Sequence, residues 1–251
     1  MFVEAGGQRL EYADIPGNDP PFLLLHEGLG SVSMWRDFPQ ELAAATGSRV
    51  VAYSRAGFGQ SSPRSGPYGK RFIHDEAEKV IVEVRQRLGL ARPVMLGHST
   101  GASMALVHAA TPHPVAGVIA LAPLIDVEGS NLEAILAARR TYEASRDWKV
   151  RLARHHDDVG AVFYGWNDTW LSPEFRDWNI VGDLARIRAP VLAILGASDE
   201  YSTPKQLALI RDHLPKDTPF ESMLLADCGH APHRDQPATV LAGVGKFLDA
   251  L

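Results

Sequence analysis

Pro93-Val94-Met95-Leu96-Gly97-His98-Ser99-Thr100-Gly101-Ala102-Ser103-Met104 is the stretch on which the reading of this chain turns. Val94 to Leu96 is a short apolar run of the kind a buried strand presents, and Ala102 to Val107 reads as a helix that starts almost at once. Between them Gly97, Ser99 and Gly101 form the pattern G-x-S-x-G. A turn straight from strand into helix strains the residue at its apex and crowds neighbouring backbones, a demand the two glycines meet. Such a turn lifts the Ser99 hydroxyl clear of a sheet at a helix N-terminus, where free backbone N–H groups favour developing negative charge.

Outward from this point strands and helices alternate. Toward the N-terminus, Gln8 to Tyr12 alternates polar and apolar residues as an edge strand does, and the Pro16 to Pro21 region ends it. Pro21-Phe22-Leu23-Leu24-Leu25 is too continuously apolar for a half-exposed strand and reads as a central one, running into His26-Glu27-Gly28-Leu29-Gly30-Ser31. A helix around Trp35 to Ala45, a strand Arg49 to Tyr53 and a loop Ser54 to Ser61 follow. The stripe Ile73, Ala77, Val80, Ile81, Val84, Leu88 then predicts a helix ending near Gly89.

Toward the C-terminus, Val115 to Leu121 is the next buried strand, and then the alternation stops. From about Asp126 to Asp183 the chain reads as helix over Leu132–Tyr142 and Trp148–His156, followed by the aromatic stretch from Val162 to Trp170; four of the five tryptophans fall here. Regularity returns with the strand Ala189–Gly196, which delivers Asp199, and a helix Pro204–His213. The strand Phe220–Leu225 then ends in Asp227-Cys228-Gly229-His230, before a last helix Gln236–Ala250. The expected fold is α/β, a mostly parallel central sheet with helices on both faces. Residues 1–125 and 184–251 would form its core domain, and 126–183 a small helical cap inserted over the sheet.

Composition excludes several classes. The chain has 251 residues, enough for one large α/β domain, with 45% hydrophobic and 22% charged residues. A net charge of -5 without a basic stripe argues against a nucleic-acid partner. Cys228 is the single cysteine, which rules out an intrachain disulfide and a cysteine-based zinc site. No secretory signal is visible, and the longest apolar run, Val115 to Ile125, is too short to cross a bilayer, so a cytoplasmic protein with no membrane partner is expected.

Ligands of an open parallel sheet bind at the C-terminal ends of its strands. Four strands place a chemically useful group there: the Gly28 loop, Ser99, Asp199 and His230, in the order nucleophile, acid, histidine. With these motifs the chain resembles the α/β-hydrolase superfamily over essentially its whole length. His26-Glu27-Gly28-Leu29-Gly30-Ser31 resembles that family's oxyanion loop, and Gly97-His98-Ser99-Thr100-Gly101 its nucleophile elbow. Gly196-Ala197-Ser198-Asp199 is similar to its acid loop, and Cys228-Gly229-His230-Ala231-Pro232 to its histidine loop. Two departures stand out. Glu27 occupies a place usually held by glycine, which leaves the first oxyanion N–H to Gly28, favoured, or Leu29. Ser54 replaces the aspartate that usually opens the following loop.

The resemblance implies Ser99 as nucleophile, His230 as base, Asp199 as the acid that orients it, and the N–H groups of Gly28 and Thr100 as oxyanion donors, with no metal or organic cofactor. Asp126 is the reserve acid. His213, late in a polar helix, and His233, past Pro232, are the competing bases. His26 is expected to organise its loop and His98 to be structural, and His155-His156-Asp157-Asp158 reads as a solvated helix end rather than a metal site. Cys228 reads as a small buried apolar residue. Arg139 and Arg140 read as a solvated face.

The expected partner is a small-molecule substrate, a small or medium apolar or aromatic ester, lactone or thioester. Leu29, Trp166 and Trp170 are its expected contacts. The aromatics Phe163, Tyr164, Trp166, Trp170, Phe175 and Trp178 fit either a substrate pocket or the cap's own core, and aromatic surface on the cap also fits a homodimer contact. Three alternatives stand beside the esterase: hydrolysis of a carbon–carbon bond in a ring-cleavage diketone, a cofactor-free dioxygenase, and a non-catalytic ligand-binding protein. Ala231 counts against the first, whose enzymes typically carry tryptophan after the catalytic histidine.

Overall fold

Two apolar layers account for the continuous hydrophobic runs. A strand turns successive side chains to opposite faces, so a strand covered on both faces has no polar position to alternate with. Phe22 and Leu24 point into one core, and Leu23 and Leu25 into the other. The same division separates Val50 and Ala52 from Val51 and Tyr53, and Ile119 and Leu121 from Val118 and Ala120.

The computed structural model describes residues 1–64 and 66–251. Strands β1 (Phe2–Ala5), β2 (Gln8–Ile15) and β3 (Asn18–Leu25) lead to helix α1 (Phe38–Thr46) and strand β4 (Ser48–Tyr53). Helices α2 (Phe72–Asp75) and α3 (Ile81–Leu88) are joined by the π-helical turn Glu76–Val80 into one rod, closed by Gly89 in the left-handed conformation at φ 68°. Strand β5 (Val94–His98), helix α4 (Thr100–Ala109) and strand β6 (Gly117–Leu121) follow. Helices α5 (Gly129–Ala144), α6 (Arg146–Leu152), α7 (Val159–Leu171) and α8 (Val181–Leu184) come next. Strand β7 (Val191–Gly196), helix α9 (Pro204–His213), strand β8 (Phe220–Leu225) and helices α10 (Pro232–Asp235) and α11 (Pro237–Asp249) complete the chain.

The eight strands form one sheet in the order β1-β2-β4-β3-β5-β6-β7-β8. β1 and β2 run antiparallel and the strands from β4 to β8 are parallel. Apolar side chains of α3, α4 and α9 cover one face, and those of α1 and α11 the other. α4 is buried on every side, which is why its sequence shows no polar stripe.

The N-terminal edge of the sheet differs from the sequence reading in two places. β1 adds a strand outside the expected edge; it is short and half exposed, and so carries no alternating signal. β3 begins at Asn18, so the break after β2 is confined to Pro16 and Gly17. Between β6 and β7 the described residues are helical, and the two ends of that segment meet in a bridge between Asp126 and Asn179. The side chain of Asn167 on α7 donates from Nδ2 to the Ile135 carbonyl on α5 at 2.9 Å, tying the two helices together. Among the described residues no helix is long and apolar enough to cross a membrane.

At Gly97 and Gly101 the ends of β3, β5 and α4 meet backbone to backbone. A Cβ on Gly101 would lie 2.0 Å from the Leu25 carbonyl oxygen, and one on Gly97 would lie 2.2 Å from the Gly101 carbonyl oxygen. Neither neighbour is a side chain that swings away. Gly101→Ala is therefore expected to cost at least about 3 kcal/mol, the upper range of core overpacking. Urea unfolding reads the loss directly, and an unchanged midpoint would contradict this account of the contact.

Candidate active site

Ser99 sits between the last residue of β5 and the first of α4 with φ 54° and ψ -120°, a conformation that a non-glycine residue rarely adopts. Its amide donates to the Leu121 carbonyl at 2.8 Å, and its carbonyl accepts from Ala102 N at 2.8 Å, so the surrounding backbone holds the strain in place. The Ser99 Oγ lies 2.9 Å from His230 Nε2. On its other side His230 Nδ1 is 2.8 Å from each carboxylate oxygen of Asp199. Asp199 accepts and never donates, so Nδ1 carries the hydrogen and Nε2 is left with a lone pair toward the serine hydroxyl.

The Asp199 side chain is fully buried, and its Oδ1 also accepts the amides of Tyr201 at 2.8 Å and Ser202 at 3.1 Å. Asp126, the reserve, is engaged elsewhere, with Lys205 Nζ at 2.5 Å and Gln206 Nε2 at 2.8 Å. The acid and histidine loops meet as closely as the elbow does. A Cβ on Gly196 would lie 2.2 Å from the carbonyl oxygens of both Cys228 and Gly229, and Ser198 N donates to the Cys228 carbonyl at 2.9 Å.

The loop after β3 resolves which amide is free. The Glu27 carbonyl accepts from His26 Nδ1 at 2.7 Å, Arg55 Nη2 at 2.9 Å and Gly30 N at 3.2 Å. In a trans peptide the C=O and the following N–H point opposite ways, so these donors turn the Gly28 N–H away from themselves. Gly28 lines the cavity onto which Ser99 opens. Leu29 N instead donates to the Glu27 carboxylate at 2.5 Å. Of the two amides, that of Leu29 is thus engaged by Glu27, and that of Gly28 is turned away from the donors that hold the Glu27 carbonyl. Thr100 N, the first amide of α4, precedes any intrahelical acceptor.

The family model of alpha/beta hydrolases matches residues 22–243. The chain belongs to the alpha/beta hydrolase family. It is similar to a proline iminopeptidase of Lactobacillus helveticus strain DPC 4571, at 23% identity over 92% of this chain and 90% of that protein. A meta-cleavage product hydrolase from Pseudomonas fluorescens IP01 superposes with a TM-score of 0.78 at 16% identity, covering 100% of this chain and 97% of that one. A thermophilic esterase from Thermogutta terrifontis superposes with a TM-score of 0.74 at 19% identity, over 100% and 98% of the two chains.

In this alpha/beta hydrolase Arg55, His156 and Glu11 support the site without having been singled out for it. Arg55 is buried and holds the His26 carbonyl at 2.6 Å as well as that of Glu27, while its amide donates to His26 Nε2 at 3.1 Å. His26 is accordingly neutral, its pKa held well below the usual value by burial and then by Arg55. Ser54 Oγ donates to Glu11 Oε2 at 2.7 Å, so the carboxylate that the loop after β4 usually carries comes here from β2. His156 corrects the expectation of a solvated helix end. α6 stops at Leu152, and His156 is buried between the Leu29 carbonyl at 2.8 Å and Gly59 N at 3.0 Å, while His155 turns to Ser33.

A cavity of about 260 Å³ opens onto Ser99 and His230. Leu29, Trp166 and Trp170, the residues read from the sequence as substrate contacts, line it together with Trp148, Asn131 and Tyr201. The aromatic residues divide among the cavity wall, the helical segment and the core of the sheet. Trp166 packs against Gly28 in the cavity wall and Phe163 stacks on Tyr142 at 3.7 Å inside the helical segment, whereas Phe175 stacks on Trp178 at 5.4 Å and meets Phe72 at 5.7 Å, so that this pair joins the core layer of the sheet. Arg139 pairs with Glu143 and Asp168, and Arg140 is exposed, as a solvated face requires.

Beneath His230 lies an aromatic floor. His98 Nε2 donates to the His230 carbonyl at 2.6 Å, and the His98 ring lies 4.8 Å from that of His233, which packs on Trp35 at 5.0 Å. His213 is exposed, as expected, but His233 is buried. Burial holds His98 well below the usual histidine range, and pushes His233 down to about 3, helped by Arg234, His230 and Arg36.

Ser99→Gly relieves the positive φ that Ser99→Ala retains, so it is expected to be about 1 kcal/mol more stable than Ser99→Ala despite the added freedom of its unfolded chain; equal urea midpoints would remove the strain. A base whose folded pKa is depressed leaves the unfolded chain to take up protons first, so its stabilising share at neutral pH is lost as pH falls through 6.5. By pH 5 His233 alone accounts for about 2 kcal/mol of lost stability. Unfolding of native and His233→Leu protein at pH 7.5 and pH 5 should show the acid loss smaller by that amount in the variant.

Proposed function

We propose that this alpha/beta hydrolase cleaves a carboxylic ester through an acyl-enzyme on Ser99. The observation that carries the reading is the single file Ser99 Oγ, His230, Asp199, with contacts of 2.9 and 2.8 Å. His230 Nε2 takes the serine proton as Oγ attacks the substrate carbonyl, while Asp199 holds the ring and stabilises the imidazolium. The N–H groups of Gly28 and Thr100 receive the oxyanion. These dipoles are aligned before the substrate arrives and are worth most in a site that excludes water. His230 then returns its proton to the leaving alkoxide, and a water attacks the acyl-enzyme by the same path in reverse. Residues 126–183 act as a cap in this reading, because Asn131, Trp148, Trp166 and Trp170 form part of the cavity wall.

A second reading is release of an N-terminal residue from a peptide. Its support is the name of the curated relatives, proline iminopeptidases, and two carboxylates on the cavity wall, Glu27 and Glu200, suited to a substrate ammonium group. The two readings share Ser99 and differ in substrate. Kinetics on p-nitrophenyl esters from acetate to decanoate, beside proline p-nitroanilide, separate them. The cavity is near the lower limit for ligand pockets, roughly 300 Å³, so activity is expected to peak at short acyl chains. Ser99→Ala should lower kcat by about 10⁴-fold or more. If proline p-nitroanilide is turned over with a higher kcat/KM than every ester, the ester reading gives way to the peptidase.

A further inference from the structure

Most buried polar atoms in a folded protein have a hydrogen-bond partner, so those that lack one on the wall of a cavity describe what the cavity is built to receive. Asn131, in the first turn of α5, is completely buried, and neither Oδ1 nor Nδ2 has a partner among the described residues. Trp170 on α7 is also buried, and its Nε1 is likewise unpartnered. Both residues line the cavity that opens onto Ser99, amid the apolar side chains of Leu124, Ile135 and Trp166. Two other unpartnered groups reach the same cavity, Trp35 Nε1 and His233 Nδ1, but those rings pack on each other 5.0 Å apart in the aromatic floor.

We propose that Asn131 and Trp170 form a hydrogen-bonding subsite for an uncharged amide or hydroxyl of the substrate, set apart from its scissile carbonyl. The inference rests on the hydrolase reading and names its substrate class. Asn131 Nδ2 and Trp170 Nε1 call for an acceptor oxygen, and Asn131 Oδ1 calls for an N–H or O–H donor. An amide or a hydroxyl supplies both; an alkyl chain supplies neither and leaves the amide of Asn131 stranded. A carboxylate supplies no donor, and Arg234, the one Lys or Arg on the cavity wall among the described residues, lies on α10 rather than on α5 or α7. A site built to pair with a substrate donor discriminates against the analogue lacking it far more strongly than a hydrophobic pocket discriminates by size.

The test compares p-nitrophenyl esters matched in length. N-acetylglycine, N-acetyl-β-alanine and N-acetyl-4-aminobutanoate esters are set against pentanoate, hexanoate and heptanoate, and 3-hydroxyhexanoate against hexanoate. Ser99 is first labelled with a fluorophosphonate. Labelling, with kcat/KM for at least one polar ester roughly tenfold or more above its alkyl match, is the expected result. In Asn131→Leu and in Trp170→Phe that ratio should fall toward one, with the thermal midpoint of Asn131→Leu no lower than native because the replaced amide supports nothing in the free protein. Trp170→Phe keeps the ring and serves if Asn131→Leu fails to fold. Labelling with every polar ester at or below its match overturns the subsite and leaves the hydrolase standing. Ratios unchanged in both variants, or a lowered midpoint with an unchanged ratio, make Asn131 structural. Absence of labelling removes the hydrolase and the subsite together.

Discussion

The carbonyl oxygen of Leu25 and the backbone of Gly101 meet with no room for a side chain between them. That contact binds the end of β3 to the first turn of α4, and the rest of the site hangs from it. The loop after Leu25 holds Gly28, and the turn before Gly101 holds Ser99 and the Thr100 amide. The amides and the hydroxyl that the proposed reaction uses, 71 residues apart in the chain from Gly28 to Ser99, are therefore placed by one backbone approach. The Gly196 contact with Cys228 and Gly229 repeats the device for the acid and the histidine. Side chains relax by rotating, whereas carbonyls fixed in a sheet do not, so geometry set by backbone contact is stiff where catalysis tolerates little error.

Glu27 shows how such a loop accommodates a charge. A carboxylate beside an oxyanion position opposes the negative charge that the proposed reaction develops there. Its Oε2 is occupied by the Leu29 amide, and the peptide it belongs to is gripped from below by the buried guanidinium of Arg55. Arg55 in turn lies over the Phe58 ring at 4.9 Å and in the field of Glu76, whose pKa is raised by burial although Tyr53 and Arg55 oppose the shift. Hydrogen bonds from a charged donor are worth about 1.5–3 kcal/mol each, so two of them on adjacent carbonyls hold the peptide plane firmly. The same grip that engages both terminal nitrogens of Arg55 orients the Gly28 N–H. The departure at Glu27 and the unexpected Arg55 are thus parts of one arrangement.

How much of this was legible in the sequence depends on the range of the contacts. Buried strands announce themselves over five or six residues, because two covered faces forbid alternation, and the four loops at their ends carry Ser99, Asp199, His230 and Gly28 in recognisable order. The partners of those loops carry no local mark. Glu11 alternates in an edge strand like any exposed glutamate, and its bond to Ser54 spans 43 residues. His156 sits in a polar run that reads as solvent-facing until the Leu29 carbonyl, 127 residues away, is seen above it. Asn131 opens a helix, where asparagine ordinarily serves the backbone or the solvent, and only the packing of α5 against α7 reveals its side chain as buried.

The histidine floor bears on which ring moves a proton in the proposed reaction. The His98 ring lies between two other imidazoles, 5.1 Å from His230 and 4.8 Å from His233. Were either neighbour charged at neutral pH, it would oppose the imidazolium that His230 forms when it deprotonates Ser99. Burial prevents this by holding both far below neutrality, and His98 has already committed its Nε2 hydrogen to the His230 carbonyl. His230 alone combines a buried carboxylate on one nitrogen with a free lone pair facing a hydroxyl on the other. Desolvation of its neighbours thus makes the choice of base, and the floor contributes by staying neutral rather than by touching substrate.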